Sequence, residues 1–346
     1  MLSLFSMQSE TKTNQSGSLP TIFVLSDANR QSGLGHYLRC LSLSKALDVL
    51  SYKTIFLGDF NALAKQFAVY FGQVLLDNVT DIVSRVKTLP LGSFVLIDSY
   101  HYCPTQLPEG YHYVLIDDFC FHPFYPVAGV LNFTYEAKGF NYLFKGAKRQ
   151  ALGIDYYLPH PSLVDLNLSP IKQIQRILIM IGSGDQNNLS SRIFGLLKSI
   201  NPLLDIKIVA TDISRYKDLP PEVFLSPIPD VSQFYAWADF YITSGGLAKY
   251  ESAFLGRPAA VLPLTPEESL ETVQFERAGL CFNLGPLLDD EVALTKYLRL
   301  LLTTNKPHQL AHKNTQRVFT AHSADNAAEF IVDCFREIQD GNRLSS

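Results

Sequence analysis

The run Ser32-Gly33-Leu34-Gly35-His36-Tyr37-Leu38-Arg39-Cys40 brings two glycines, a histidine and an arginine to one junction. An apolar run at 21–25 precedes it and a helical pattern at 36–49 follows. Glycines let the backbone turn sharply and approach a ligand closely. A helix start offers free N–H groups and the positive end of a dipole, which suits phosphate or a developing anion. Gly33, Gly35 and Arg39 are therefore candidate substrate-binding residues. His36 opens the helix, where the dipole favours a neutral imidazole able to take a proton, as a general base must. His36, Cys40, Leu43, Leu47 and Leu50 step by four and three, so the spacing predicts one inward face with His36 at its loop end. The run is not a dinucleotide fingerprint, because Leu38 holds the place of the third glycine, and no Gly-Lys-Ser/Thr phosphate grip follows. The alternative for His36 is a side chain hydrogen-bonded at a helix start without chemistry.

Four further groups end other apolar runs. Asp98-Ser99-Tyr100 and Asp117-Asp118 stand at expected C-terminal strand ends, on the same rim as His36. A carboxylate there could orient His36 or hold substrate hydroxyls, and Tyr100 could donate to a sugar or phosphate. The alternative is that these are turn formers. Gly182-Ser183-Gly184-Asp185-Gln186-Asn187-Asn188 opens a helix in the second half. Thr243-Ser244-Gly245-Gly246 does the same further on, with Glu251 one to two turns into its helix. Two glycine-bearing helix starts in one half suit a diphosphate, and Glu251 suits ribose hydroxyls. Each loop alone is also what a tight strand-to-helix turn looks like.

These groups need a scaffold of strands and helices. Apolar runs at 21–25, 53–57, 94–97 and 113–116 alternate with helical patterns, as in a parallel sheet covered on both faces. The alternation fades over 156–175, where Pro159, Pro161 and Pro170 stand among polar residues, and restarts at 176. The expected fold is α/β: a tail at 1–19 with no period, a Rossmann-like unit at 20–155 carrying His36, a linker at 156–175, and a second Rossmann-like unit at 176–340 for the nucleotide. Ligands of such sheets bind outside the C-terminal strand ends.

Composition narrows the partners. The chain has 346 residues, 47 % hydrophobic and 18 % charged, with a formal net charge of −4. That is enough apolar material for two cores and no basic excess for a nucleic-acid backbone. The apolar runs are strand-sized, far below the ~20 residues of a bilayer span, and no charged-then-apolar leader opens the chain, so a cytoplasmic protein without an integral membrane segment is expected. The five scattered cysteines fit neither a disulfide framework nor a zinc knuckle. His308 and His312 are four apart but lack a third ligand, and no metal site is expected.

The pattern G-x-G-H-x-x-R-C-L-x-L-x-x-A-L at 33–47 resembles the opening motif of bacterial pseudaminic-acid-pathway UDP-sugar hydrolases, the UDP-2,4-diacetamido-2,4,6-trideoxy-β-L-altropyranose hydrolases. These are relatives of glycosyltransferases of GT-B fold. Ile97-Asp98-Ser99-Tyr100, Asp117-Asp118, the 182–189 run, and Ser244-Gly245-Gly246 with Glu251 are similar to later family motifs, so the likeness spans about 20–335. The resemblance implies two Rossmann-like domains facing across a cleft. It implies inverting hydrolysis at the anomeric carbon of a UDP-sugar, no cofactor and no required metal. By it His36 is the water's base, and Asp98 and Tyr100 support His36 or the sugar. Asp27, Arg39, Asp117 and Asp118 lie at the substrate, and Gly182, Ser183, Asp185, Asn188, Ser244, Gly245, Gly246 and Glu251 hold UDP. The chain departs from the family at Leu25, two residues before Asp27, where the family carries arginine; at Leu158-Pro159-His160-Pro161; and at Glu267-Glu268, which stand where an Asn-Gln pair is usual. Two carboxylates there would repel a diphosphate unless they turn away or bind hydroxyls.

The first expectation is thus a nucleotide-sugar hydrolase releasing UDP and a free sugar for nonulosonic acid synthesis. The second is a GT-B glycosyltransferase, with a saccharide or lipid hydroxyl in place of water and the aromatic residues Phe119, Phe121, Phe124, Tyr125, Phe133 and Tyr135 as its acceptor surface. The third is a sugar-nucleotide binding protein without catalysis.

Overall fold

Near-continuous apolar runs become strands, the central ones buried on both faces. In the first half these are β1 (Thr21–Ser26), β2 (Lys53–Gly58), β3 (Val74–Asp77), β4 (Phe94–Asp98), β5 (His112–Ile116), β6 (Gly129–Asn132) and β7 (Gln150–Leu152). In the second half they are β8 (Arg176–Met180), β9 (Asp205–Val209), β10 (Phe224–Leu225), β11 (Phe240–Ser244), β12 (Ala260–Leu262) and β13 (Phe282–Asn283). The computed structural model describes residues 19–169, 171–182, 185 and 188–344, with side chains to Glu337. The tail expected at 1–19 lies, Leu19 apart, outside the described residues, as do Ser183, Gly184, Gln186 and Asn187.

Each half forms one all-parallel sheet, in the orders β3-β2-β1-β4-β5-β6-β7 and β10-β9-β8-β11-β12-β13. The chain therefore reverses its direction of strand addition beside β1 in one sheet and β8 in the other. Crevices for ligands open at such switch points. In the first sheet Ser26 of β1 pairs with Asp98 of β4, so the register delivers Asp98 to the switch-point rim.

Helices cover the sheets: α1 (Gly35–Val49), α2 (Ala62–Phe71) and α3 (Ile82–Val86) in the first half, and α4 (Leu189–Ile200), α5 (Ser232–Trp237), α6 (Leu247–Phe254), α7 (Pro266–Arg277), α8 (Glu291–Thr303) and α9 (Asn305–Val318) in the second. The final helix, α10 (Ser323–Leu344), returns to the first sheet and packs on α1, β5 and β6. Sequence order had grouped it with the second unit. This return explains α1. Tyr37, Cys40, Leu41, Leu43 and Leu47 are all buried, because the helix is enclosed between sheet and α10 and is not half solvated.

The 156–175 stretch, expected as a linker, is packed. Tyr157, Leu158 and Leu163 are buried in an apolar cluster that also contains Ile22 and Leu131 from the first half and Leu178 and Tyr241 from the second. Among the described residues no helix is long and apolar enough to cross a membrane.

Candidate active site

The loop between β1 and α1 is built by Asn29. Its Oδ1 accepts from the backbone N–H of Gln31 at 2.9 Å and of Ser32 at 3.0 Å, and its carbonyl accepts from Gly33 N at 3.0 Å. Gly33 takes φ +68°, which a side chain would strain. The loop delivers His36 to the first turn of α1, where no side-chain cap occupies the helix start.

His36 Nδ1 lies 2.6 Å from Asp98 Oδ1. Arg39, one turn on, grips the same carboxylate side-on, Nε to Oδ2 and Nη2 to Oδ1 at 2.6 Å each. Arg39 Nη1 reaches both oxygens of Asp118, at 2.9 and 3.0 Å, and the Tyr100 hydroxyl donates to Asp118 Oδ2. The Cys40 thiol donates to Asp98 Oδ2 at 3.4 Å. Burial alone would push the Asp98 carboxyl up, but the Arg39 guanidinium and His36 hold it well below the usual carboxylate range. Burial opposes the Arg39 charge in turn, and Asp118 and Asp98 more than offset it, so its pKa is raised. Tyr100 is pushed up by burial of its hydroxyl and by the Asp118 carboxylate, and it stays a donor.

An ionised carboxylate only accepts hydrogen bonds, so His36 Nδ1 must carry its proton toward Asp98. Nε2 is then the basic nitrogen. The Asp98 side chain is 0 % exposed and that of His36 is 12 % exposed, so the carboxylate orients the ring from behind while the imidazole reaches the cavity. The sequence patterns left open which aspartate would meet His36. The sheet register chooses Asp98, and Asp118 is joined to it through Arg39.

The cavity before His36 has a volume of about 590 Å³ and lies between the two sheets' switch points, lined from both halves. That size suits a small-molecule ligand. Gly245, Gly246 and Leu247 bring the start of α6 to it, opposite the start of α1; a methyl group at Gly35 would stand 3.6 Å from Leu247 Cδ1. Gly245 is required by close approach, since a Cβ there would fall 2.6 Å from Glu268 Cβ. Glu268 is turned partly away from the cavity. Thr265 caps α7 by accepting from Glu268 N at 3.2 Å, and Glu268 Oε2 accepts from the N–H of Leu264, the residue before the cap, at 2.7 Å. Glu267 is exposed and makes no hydrogen bond among the described residues.

Of the expected site residues, Gly35, His36, Arg39, Tyr100, Asp117, Asp118, Gly245 and Gly246 line the cavity, and Asp98 backs it. Asp117 is occupied with its own turn, accepting from Phe119 N at 3.0 Å and from the Tyr125 hydroxyl. Asp27 lies off the cavity, where it accepts from Asp59 N at 2.8 Å and pairs with buried Arg85. Asp185 is buried as an anchor for the start of α4, bonded by Leu189 N, Ser190 N and the Tyr216 hydroxyl. Gly182 and Asn188 hold positive φ beside it, and Ser244 ends β11. Glu251 accepts from the Tyr235 hydroxyl at 2.5 Å, and burial raises its pKa. Gly182, Asp185, Asn188, Ser244 and Glu251, like Asp27 and Gly33, do not line the cavity. Ser183 lies outside the described residues.

Sequence reasoning missed Tyr102, Thr134, Tyr250 and Glu271 on the cavity wall. Glu271 was findable: it stands one helical turn after Glu267, on the same face. It pairs with fully buried Lys249 at 2.8 Å and accepts from the Tyr250 hydroxyl. Among the described residues no cluster of three His, Cys, Asp or Glu side chains is arranged to hold a metal ion. His308 and His312 instead meet the backbone carbonyls of Leu301 and Gly256, at 2.8 and 2.7 Å.

Two Rossmann-like units opposed across a cleft give this chain the GT-B fold of glycosyltransferases. The glycotransferase of kitacinnamycin superposes with a TM-score of 0.59 at 14 % identity, covering 91 % of this chain and 99 % of that one. MurG of Acinetobacter baumannii gives 0.58 at 14 % identity, with 91 % and 99 % covered. The spinosyn rhamnosyltransferase SpnG, complexed with thymidine diphosphate, gives 0.58 at 12 % identity, with 90 % and 100 % covered. No protein-family model matches the chain, and a search of curated proteins returns no match.

Proposed function

We propose that the protein is an enzyme that transfers a sugar from a nucleotide sugar to an acceptor hydroxyl, with His36 as general base. The observation that carries this reading is the Asp98-held imidazole at the wall of a cavity enclosed between two helix starts. His36 Nε2 takes the proton of the acceptor hydroxyl as its oxygen attacks the anomeric carbon. The bond from that carbon to the diphosphate oxygen breaks, and its electron pair leaves with the nucleoside diphosphate. Attack opposite the leaving group inverts the anomeric centre. Asp98 stabilises the imidazolium that forms, and Arg39, Asp118 and Tyr100 hold Asp98 and the ring in place.

The nucleotide is assigned to the second unit, at the start of α6, where Gly245 and Gly246 face the cavity. Helix-start N–H groups there would stabilise the departing charge. That SpnG is solved with thymidine diphosphate supports this class of leaving group. A second reading rests on the 33–47 likeness: water is the acceptor and the donor is a UDP-2,4-diacetamido-2,4,6-trideoxyhexose.

The test is nucleoside diphosphate release from UDP- and TDP-sugars, that diacetamido sugar included, with and without acceptor alcohols. Acceptor-dependent release that falls by about 10²–10⁴ in His36→Ala is expected. Equal release without acceptor would replace transfer by hydrolysis. Tight nucleotide binding with no release from any donor would leave a binding protein.

A further inference from the structure

The chemistry proposed above leaves Phe119 and Phe121, beyond Tyr100, unused. His36 and Tyr100 meet edge to face, with centroids 4.5 Å apart. Tyr100 lies 5.7 Å from Phe119, and Phe119 stacks on Phe121 at 4.9 Å with planes 18° apart. All four line the one cavity, so the row runs from the base outward, and it ends on Phe121, which is 70 % exposed. Stacked phenyl rings left in water at a binding cavity gain free energy when an apolar group covers them. Because the row is continuous with His36, the molecule that covers it is the one whose hydroxyl reaches the base.

Charge restricts that molecule further. Asp117, Asp118, Glu267, Glu268 and Glu271 line the cavity. The cations at hand, Arg39 and Lys249, are both engaged, Arg39 with Asp98 and Asp118 and Lys249 with Glu271. Among the described lining residues no lysine or arginine remains to meet a phosphate or carboxylate on the acceptor, and Asp117 and Asp118, which precede Phe119 in the chain, would repel one.

We infer that Phe119 and Phe121 select the acceptor, and that it is a ring-bearing apolar alcohol without negative charge. Its ring system lies on the phenyl faces and its hydroxyl points to His36 Nε2. A lipid diphosphate does not fit this charge pattern, and water needs no such surface. The inference rests on the transferase reading and specifies its acceptor.

Binding without any nucleotide sugar separates the two claims. Calorimetry or saturation-transfer NMR would be run with 4-methylumbelliferone, estradiol and a macrolide aglycone as ring alcohols, and with N-acetylglucosamine and farnesyl diphosphate as contrasts. Wild type is expected to bind at least one ring alcohol in preference to both contrasts. Phe121→Ala should weaken that binding about tenfold and Phe121→Tyr should restore it, as loss and return of one stacking face would do. Phe144→Ala, an exposed phenylalanine outside the cavity, should leave binding unchanged. Failure of every ring alcohol to bind, equal binding to Phe121→Ala, or equally tight binding of farnesyl diphosphate would overturn the inference. Acceptor-dependent release with an unchanged acceptor KM in Phe121→Ala would overturn it and leave the transferase reading standing. Phe121-dependent binding without release from any donor would do the reverse.

Discussion

At the scale of single residues the site depends on one buried carboxylate. Asp98 is reached by His36, Arg39 and Cys40 together. Asp98→Asn keeps the shape but can present an N–H where an acceptor is needed, so it frees His36 to take the wrong tautomer and leaves Arg39 with Asp118 alone. Turnover is expected to fall by about 10⁴, as when the aspartate of a Ser-His-Asp triad is replaced in this way. Stability should fall by about 3–5 kcal/mol, the usual result of breaking a buried ion pair from one side; urea unfolding checks it. The pH dependence follows from the depressed pKa of Asp98. A carboxyl held below its unfolded value of about 3.9 stabilises the fold above that pH. The contribution is lost as pH falls from about 4 toward the folded pKa. Acid titration of stability should therefore be steeper in wild type than in Asp98→Asn over that window, and the two curves should run parallel at neutral pH. The histidine and both aspartates were legible as residues at strand and helix ends. Their connection through Arg39 was not, because it depends on the register that sets Asp98 beside Ser26 and on an arginine that sequence spacing presented as a substrate ligand.

Strands and helices were easier to read than the turns joining them. The 36–49 pattern matches α1 to within one residue, and β1 runs one residue past its apolar run, to Ser26. Polar residues at 182–188 and 243–246 looked alike as phosphate loops, yet Asp185 turns inward to bond the first residues of α4 while Gly245 and Gly246 face the cavity. Only side-chain direction separates the two cases, and a glycine-rich pattern does not carry it. Two glycines give predictions of opposite sign. A Cβ at Gly58, at the end of β2, would stand 2.0 Å from the Ser26 carbonyl oxygen. Gly58→Ala must spread β1 from β2 and should destabilise by about 3 kcal/mol, toward the upper range of overpacking. Gly195 lies within α4 with nothing within 4 Å of its Cβ position. Gly195→Ala should stabilise by about 1 kcal/mol, because alanine is the better helix former. Urea midpoints of the two variants moving in the same direction would contradict this account of both elements.

For the whole molecule, the question is whether two sheets mean two independent folding units. The proline-bearing 156–175 segment read as a linker because turn residues outweighed its scattered apolar ones. Once folded, Tyr157, Leu158 and Leu163 are buried in a cluster shared by both sheets. Tyr157 stacks on Tyr250 of α6 at 5.6 Å, and Tyr135 N–H donates to the Tyr250 hydroxyl at 3.2 Å, so the halves are joined through one aromatic floor beneath the cavity. The return of α10 closes the chain on the first sheet. Phe335 stacks on Phe94 at 4.4 Å and is 1 % exposed, and Cys334 lies so close to β6 that a Cβ at Gly129 would fall 2.6 Å from its sulfur. The first sheet therefore cannot complete its core until α10 has been made. Separate domains with a flexible linker would melt in two steps, whereas this shared core predicts one. Calorimetry should give a single transition whose calorimetric and van't Hoff enthalpies agree. Phe335→Ala removes a buried ring from the first half and should lower stability by about 3–5 kcal/mol, shifting the whole transition downward. A variant in which the first half melts early while the second keeps its wild-type midpoint would show that the aromatic floor does not couple them. The cleft would then owe its geometry to a ligand and not to the packing of the chain.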